Sequence, residues 1–455
     1  MEPRAESSEL QTRTMRRVAA RLMPVLLGLY IIAYLDRVNV TFAQDKLESD
    51  LGFSGAVYGF GAGVFFIAYF FLEVPSNLAL HKFGARRWIA RIMVTWGIIS
   101  ACTMFVQGPL SFYLVRFLLG MAEAGFFPGM ILYLSYWFPA RERARAVGFF
   151  MSAIAISYAI GAPISGGIMS AFDGVAGLKD WQWLFIIEAI PALLAAGFVL
   201  WFLDDGPEDA KWLPEDERAW LADRLQGEEK VRLTRERHTL GEVFKDGRVL
   251  AFGALYFCMV VNVYGISFWV GEIVDKINGL SDVGKGFVTA IPYTIAILGL
   301  VLISRHSDRT GERKLHVAVP LAIGAVAFAL STVVSPVAAI AALAVGLFFL
   351  LGAHPVFWTM PAALLSGPAA AAGIALVNSI GNLGGFVGPY LVGLMKDATG
   401  STDGGLIALA AILAVGSFVA TRVAHDPALE RAPRSGGGGR FTRTEVAAKP
   451  AQPVR

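Results

Sequence analysis

The sequence has little charge for its length. Asp, Glu, Lys and Arg together make up 16% of its 455 residues, whereas soluble domains carry about 25%. Hydrophobic residues make up 55%, and the mean hydropathy is +0.57. So few charged side chains do not cover the surface of a soluble chain of this length. The composition therefore excludes a soluble globular protein and predicts an integral membrane protein.

Cysteine is also scarce, and several catalytic signatures are missing. The two cysteines, Cys102 and Cys258, both lie in apolar stretches, so we interpret them as packing residues and expect neither a disulfide framework nor a metal site. The sequence contains no His-x-x-x-His, no Gly-x-Ser-x-Gly and no complete phosphate-binding loop ending in Gly-Lys-Ser/Thr. These absences argue against a membrane-embedded hydrolase and an ATP-driven pump. We expect a protein that is not an enzyme and needs no cofactor.

Long apolar runs dominate the rest of the sequence. Twelve of them have the length needed to cross the roughly 30 Å hydrocarbon core of a bilayer as a helix. The sequence therefore predicts an all-α membrane protein with twelve transmembrane helices. The predicted spans are Leu22–Phe42, Ala56–Leu80, Trp88–Val106, Leu110–Tyr136, Ala144–Ala171, Trp183–Leu203, Val249–Gly271, Gly284–Ser304, His316–Val334, Val337–Ala363, Ala369–Met395 and Gly404–Val423.

Basic residues are distributed unevenly among the loops. Lys and Arg are concentrated before the first predicted span and after the second, fourth and eighth, whereas the loops on the other side have few. The positive-inside rule then predicts that both termini face the cytoplasm. The predicted segments are a cytoplasmic tail (1–21), a six-helix bundle (22–203), a cytoplasmic connecting loop (204–248), a second six-helix bundle (249–423) and a disordered cytoplasmic tail (424–455).

The two predicted bundles resemble each other at a fixed offset. Pro163 and Pro389 are 226 residues apart (389 − 163), and so are Arg87 and Arg313 (313 − 87). Each residue of a pair occupies the same place in its bundle, which favours duplication over chance. Pseudo-symmetric six-helix halves are a transporter architecture in which the substrate binds between the halves near the middle of the membrane.

Four ionisable residues lie within the first and fourth predicted spans. They are Asp36, Arg37, Arg116 and Glu123. Each costs at least about 2.5 kcal/mol to insert, so each requires a partner or a wet cavity. At a rise of about 1.5 Å per residue, Asp36 and Arg116 both lie about 21 Å from the cytoplasmic edge. We expect these two to pair in one conformation, so that protonation of Asp36 releases Arg116. The alternative is a static ion-pair network that holds helices together.

Other residues in the spans allow two interpretations. Glu73 in the second span is either a gate residue or a structural hydrogen-bonding group. Asn378 and Asn382, one turn apart, either donate amide groups to a substrate or join helices. Trp269, near the end of a span, is expected to be an interface anchor rather than a ring that stacks on an aromatic substrate.

Six segments form a recognisable set. They are YLDRVNV (34–40), EVPSNLALHKFGARRW (73–88), RFLLGMAEAGFFPG (116–129), DDGPEDAKWL (204–213), SRHSDRTGERK (304–314) and NSIGNLGGFVGP (378–389). Together they resemble the anion:cation symporter family of the major facilitator superfamily. That resemblance implies two six-helix halves, and it implies import of sugar acids, hydroxy-dicarboxylates, aromatic acids or related anions together with protons.

The resemblance also implies roles for individual residues. Arg37 matches the family's anion-binding arginine, and Asp36 and Glu123 match its proton-titrating carboxylates. Tyr34 and Tyr69 match positions near the bound anion. An arginine suits anion binding because its planar fork holds a carboxylate through two hydrogen bonds and stays charged.

The loops after the second and eighth spans are similar to the superfamily's gating motif. In the first loop, Asn77 stands where the motif has Gly and His81 stands where it has Asp. We therefore expect the gate of the first half to rely less on a loop carboxylate. The gating residues implied by the resemblance are Lys82, Gly84, Arg86 and Arg87 in the first loop, and Asp308, Arg309 and Arg313 in the second.

These observations predict a secondary active transporter that imports a small carboxylate with protons by alternating access. An anion exchanger or a uniporter is the alternative, followed by a sensor that has kept a transporter body. The expected partners are the lipid bilayer of the plasma (inner) membrane, a small organic anion and protons. We expect no nucleic-acid partner and a monomeric protein.

Overall fold

The chain folds as a bundle of long helices. The structure is a computed structural model, and it describes residues 2–234, 246–364 and 368–423. The helices of the first half and the connector are α1 (Glu2–Val38), α2 (Gln44–Leu51), α3 (Gly55–Phe83), α4 (Ala85–Cys102), α5 (Pro109–Glu123), α6 (Phe126–Trp137), α7 (Ala140–Met151), α8 (Ala153–Phe172), α9 (Asp180–Phe202) and α10 (Glu215–Thr234).

The second half repeats this pattern. Its helices are α11 (Gly247–Ser267), α12 (Val270–Asp275), α13 (Asp282–Thr310), α14 (Leu315–Leu330), α15 (Pro336–Leu364), α16 (Pro368–Asn382), α17 (Gly384–Thr399) and α18 (Asp403–Arg422). Ten helical segments in the described part of the chain are long and apolar enough to cross a membrane. The shorter apolar helix α14 and the consecutive helices α16 and α17 complete twelve spans. The predicted all-α fold is therefore confirmed.

Helix α1 begins well before the first predicted span. It starts at Glu2 and continues without a break through the segment predicted as a polar tail. Arg13 in this extension bonds to Asp216 (2.6 Å) and Glu217 (2.9 Å) of α10. The guanidinium of Arg21 lies between two rings of the chain that leads into the connector, 4.2 Å from Phe202 and 4.7 Å from Trp212. The extension is therefore packed against the connector. The predicted disordered tail, 424–455, lies outside the described residues.

The fourth span is interrupted at its buried carboxylate. Helix α5 ends at Glu123, and Gly125 has a positive φ of 88° before α6 begins. A side chain at Gly125 would be strained at that φ and would also clash with the side chain of Ser76. The break leaves Glu123 at the carboxyl end of α5, inside the first half.

We use two terms for the ends of the bundle. The near side is the end at which α1 begins and α3 finishes, and the far side is the end at which α3 begins and α17 finishes. The halves pack together chiefly through α3 against α17 and α8 against α13. Glycines in all four of these helices allow the backbones to approach closely towards the far side.

Candidate functional site

A buried ion pair lies at the centre of the first half. Nη2 of Arg37 donates to Oε2 of Glu123 at 2.8 Å, and Nε of Arg37 donates to the same oxygen at 3.3 Å. The Glu123 side chain is fully buried and that of Arg37 is 7% exposed. The second oxygen of Glu123, Oε1, has no hydrogen-bond partner among the described residues. The pair thus holds two opposite charges in an apolar region while one carboxylate oxygen stays unused.

Aromatic rings surround the guanidinium of Arg37. The rings of Tyr34, Phe65 and Tyr69 lie 5.1 Å, 5.2 Å and 5.4 Å from its central carbon. Such cation–π contacts stabilise a desolvated cation. The hydroxyl of Tyr34 also lies 3.1 Å from that of Tyr264 on α11, in the other half. The structure therefore brings together Arg37, Glu123, Tyr34 and Tyr69 where the two halves meet.

The carboxylate of Asp36 has different neighbours from those expected. Nε1 of Trp96 donates to Oδ2 at 2.8 Å, and the hydroxyl of Ser100 donates to Oδ1 at 2.9 Å. Both donors belong to α4. The expected pair between Asp36 and Arg116 is not formed in this structure, so that prediction is wrong for this conformation. Equal depth along two helices does not make their side chains face each other, and here α4 supplies the partners of Asp36.

Arg116 is buried with few partners. Its side chain is 1% exposed, and its Nη2 makes one long contact, 3.5 Å, with the carbonyl oxygen of Ala62. Among the described residues, its Nε and Nη1 have no hydrogen-bond partner. The guanidinium lies 5.3 Å from the ring of Phe65, the same ring that Arg37 contacts. Two buried cations therefore share one aromatic neighbour beside Glu123.

The second half contributes an amide to the contact between the halves. Nδ2 of Asn378 on α16 donates to Oε1 of Glu73 on α3 at 3.4 Å. Asn382 is half-buried one turn further along α16, and the described contacts do not bring it to Arg37 or Glu123. The two asparagines are thus on one helix, but only Asn378 reaches the first half here.

The predicted gating loops lie on the near side and differ in how they obtain a carboxylate. In the second loop, Nη1 of Arg313 bonds to Oδ1 of Asp308 at 2.6 Å. In the first loop, the backbone N–H of Arg86 donates to Oδ1 of Asp205 at 2.8 Å, so the carboxylate comes from the end of α9. Gly84, with a φ of 87°, makes the turn beside it. Lys82, Arg87 and Arg309 are exposed.

Several residues around this site were not identified from the sequence. Trp96 and Ser100 are four residues apart, so they lie on one face of α4, and this spacing was the available signal. Phe65 and Tyr264 look like ordinary packing aromatics in the sequence. Trp269 was predicted to be an interface anchor, but it is fully buried and its Nε1 donates to the carbonyl oxygen of Pro389 in α17. That prediction is wrong, because the end of a span here is also a contact between helices.

Sequence relatives of the chain are transport proteins. Residues 26–389 match the Major Facilitator Superfamily. A protein of Agrobacterium vitis named as a tartrate transporter is 47% identical over 432 residues, covering 95% of this chain and 98% of the relative. The quinolone resistance transporter of Acinetobacter baumannii is 43% identical over 410 residues, 90% and 94% of the two chains. The inner membrane transport protein RhmT of Escherichia coli is 40% identical over 415 residues, 91% and 96% of the two chains.

Solved structures share the fold at low sequence identity. A bacterial homologue of the human lysosomal transporter Spinster, in an inward-facing and occupied conformation, matches with a TM-score of 0.70 at 15% identity, over 91% of this chain and 99% of its own. The xylose transporter XylE of E. coli, partially occluded and inward open, has a TM-score of 0.71 at 16% identity, over 88% and 97%. The resemblance seen in the sequence motifs is confirmed, and this multi-pass membrane protein belongs to the Major Facilitator Superfamily.

Proposed function

We propose that this protein is a secondary active transporter that imports a small organic anion together with protons. The buried ion pair between Arg37 and Glu123 is the observation that carries the proposal. It places a guanidinium, the group best suited to hold a carboxylate, beside a carboxylate that is able to take up a proton. A relative named for tartrate supports an organic acid as the class of substrate.

The ion pair provides a simple means of coupling. While Glu123 is ionised, its Oε2 occupies both Nε and Nη2 of Arg37. Protonation of Glu123 removes that negative charge, so the guanidinium becomes available to the carboxylate of a substrate. Loss of the proton lets Glu123 return to Arg37 and displace the anion. Proton binding and anion binding then favour each other, and reciprocal coupling of this kind is what symport requires.

Asp36 is the second proton site in this proposal. It lies next to Arg37 in α1, and its two hydrogen bonds to Trp96 and Ser100 hold it in place. A carboxylate in hydrocarbon requires such donors while it is ionised. Asn378, Tyr34 and Tyr69 are the groups we assign to the hydroxyls or second carboxylate of the substrate.

The proposed orientation places the near side in the cytoplasm and the protein in the inner membrane. Residues 22–203 and 249–423 are then the two moving halves, and 204–248 is the cytoplasmic connector. Arginines concentrated on the near side support this orientation. In a variant with both native cysteines replaced by serine, a thiol at Ser49 should react with an impermeant reagent added to intact cells. A thiol at Gln226 should react only after the cells are opened, and the reverse pattern would invert the topology.

Uptake into proteoliposomes tests the function itself. With purified protein and an inwardly directed proton gradient, labelled tartrate should accumulate above its external concentration, and a protonophore should abolish the accumulation. Accumulation that survives the protonophore but depends on an internal anion would identify an exchanger. Equilibration without accumulation would identify a uniporter. A panel of sugar acids, aromatic acids and a quinolone, used as competitors, would establish which chemistry the site prefers.

A further inference from the structure

The two halves meet on the far side through a pair of equivalent contacts. In each contact, the backbone of a glycine lies against a backbone carbonyl oxygen of the opposite half, and a Cβ at the glycine would clash with that oxygen. In the contact between α3 and α17, the pairs are Gly59 with Pro389 and Gly393 with Gly55; in the contact between α8 and α13, they are Gly286 with Ala162 and Gly166 with Asp282.

The two contacts have the same register. Gly59 and Gly286 are 227 residues apart (286 − 59), and so are Ala162 and Pro389 (389 − 162). The same offset relates the other two pairs. This is one residue more than the offset of 226 that the sequence matches indicated, so Ala162, not Pro163, is the structural counterpart of Pro389. The contacts therefore provide a direct comparison of the two halves at each position.

One of the two contacts carries a carboxylate that the other lacks. Asp397, in the last turn of α17, accepts hydrogen bonds from the backbone N–H groups of Gly55 (2.8 Å) and Ala56 (2.9 Å). These are the first two residues of α3, whose amino-terminal N–H groups have no partner within their own helix. A carboxylate is favourable there because the amino-terminal end of a helix carries partial positive charge. At the equivalent position of α8 the chain has Ser170 (397 − 227).

The residue beside Asp397 makes a second connection between the halves. Nζ of Lys396 lies 2.7 Å from Oε2 of Glu48 in the first half and 2.8 Å from Oε2 of Glu272 in its own half. The three side chains are 17–21% exposed, so water screens the ion pairs only in part. The amide of Gln44 donates to both carboxylates, at 3.0 Å and 3.3 Å, which closes the cluster.

We propose that Asp397 and Lys396 are positioning residues of the transport cycle, forming a latch that holds the halves together on the far side. The latch exists only while α3 and α17 are in contact, because its partners Glu48, Gly55 and Ala56 all belong to the first half. Opening the far side exchanges these bonds for bonds to water. The latch therefore sets how often that side opens. This inference rests on the proposed alternating-access function, but its test does not require transport.

The distance between the halves tests the latch directly. Spin labels at Ser49 in the first half and Asn278 in the second, both exposed on the far side, would be introduced into protein with Cys102 and Cys258 replaced by serine. In lipid nanodiscs, wild-type protein should show mainly the short distance of the closed far side. Asp397→Ala should raise the fraction of longer distances at least threefold. Asp397→Asn retains one acceptor oxygen and the fold, so it should give a smaller increase in the same direction.

Matched controls come from the equivalent contact and from a neighbouring ion pair. Ser170→Ala removes the polar group at the position equivalent to Asp397, and Asp403→Asn removes an exposed carboxylate that contacts Lys276. Neither should change the distance distribution. If folded Asp397→Asn and Lys396→Gln proteins both keep the wild-type distribution, the latch is refuted even if transport is observed. If the distances shift as expected but no organic acid is transported, the latch stands and the proposed function fails.

Discussion

Asp36 and Arg37 are consecutive residues of α1, yet their side chains bind different helices. Asp36 is held by Trp96 and Ser100 on α4, whereas Arg37 is paired with Glu123 at the end of α5. Consecutive residues of an α-helix project about 100° apart, so one turn of α1 addresses two neighbours at once. A proton-binding group and an anion-binding group thereby lie side by side without neutralising each other. Four predictions test this arrangement and the closure of the far side.

Replacing Glu123 with Gln should separate accumulation from exchange. The amide cannot release a proton, so proton-driven accumulation of the anion should fall to background, while exchange of internal for external anion continues. Proteoliposomes assayed in both modes would measure this. Glu217→Gln is a suitable control, because Glu217 is a fully buried carboxylate that bonds to Arg13 away from the site. Accumulation that persists in Glu123→Gln would remove Glu123 from the coupling mechanism.

Replacing Arg37 with Lys should weaken anion binding while keeping the positive charge. A lysine ammonium does not reproduce the planar fork of donors, and hydrogen bonds to charged groups contribute about 1.5–3 kcal/mol, or about tenfold or more in affinity. Kd measured by a direct binding assay should rise accordingly. Arg21→Lys, where the guanidinium lies between two rings on the near side, controls for general effects of the substitution. An unchanged Kd would contradict the assignment of Arg37 to the substrate.

Double-mutant cycles should reveal which residue is the partner of Asp36. The hydrogen bond to Ser100 predicts a coupling of about 1 kcal/mol or more between Asp36→Asn and Ser100→Ala, measured as unfolding free energy or thermal stability in detergent. The pair Asp36→Asn and Arg116→Gln should be additive within about 0.5 kcal/mol in the conformation with the far side closed. The opposite ranking of the two couplings would mean that Asp36 pairs with Arg116 in the state that predominates in solution.

Closure of the far side should weaken as pH rises. Asp45 on α2 lies outside the membrane spans, and burial, together with a hydrogen bond and repulsion from Asp275 in the other half, raises its pKa from 3.8 to about 8. Lys285 opposes this shift and Glu48 adds to it. A raised carboxyl pKa means that the closed state binds the proton more tightly than the open one. Closure is therefore favoured at low pH and is lost progressively as pH rises from about 4 to about 8.

The same pair of spin labels measures this pH dependence. Between pH 5 and pH 8.5 the fraction of long distances at Ser49 and Asn278 should increase in wild-type protein. Asp45→Asn, which is neutral throughout, should remove most of the change. Asp50→Asn is the matched control, since Asp50 is also on α2 but contacts Lys179 in its own half. A pH dependence that survives Asp45→Asn unchanged would assign the effect to another group.

The fold was accessible from the sequence because membrane physics leaves few options. Backbone N–H and C=O groups in hydrocarbon must be satisfied within the spanning segment, so long apolar runs become helices. For the same reason, an ionisable residue inside such a run marks a special site, and the sequence alone identifies Arg37, Asp36, Glu123 and Arg116 in this way. The motifs then indicated the superfamily, which the comparisons confirm.

The partners of these residues depend on the tertiary structure. Position along a helix gives depth, which is one coordinate, but contact also requires the rotation of each helix and the position of its neighbours. Equal depth therefore suggested Asp36 with Arg116, while the packed bundle places Trp96 and Ser100 against Asp36. Asp397 illustrates the same limit, since its partners Gly55 and Ala56 are more than 300 residues away in the sequence, at separations of 342 and 341. Local patterns carry no information on such contacts, because they arise only when two separately folded halves come together.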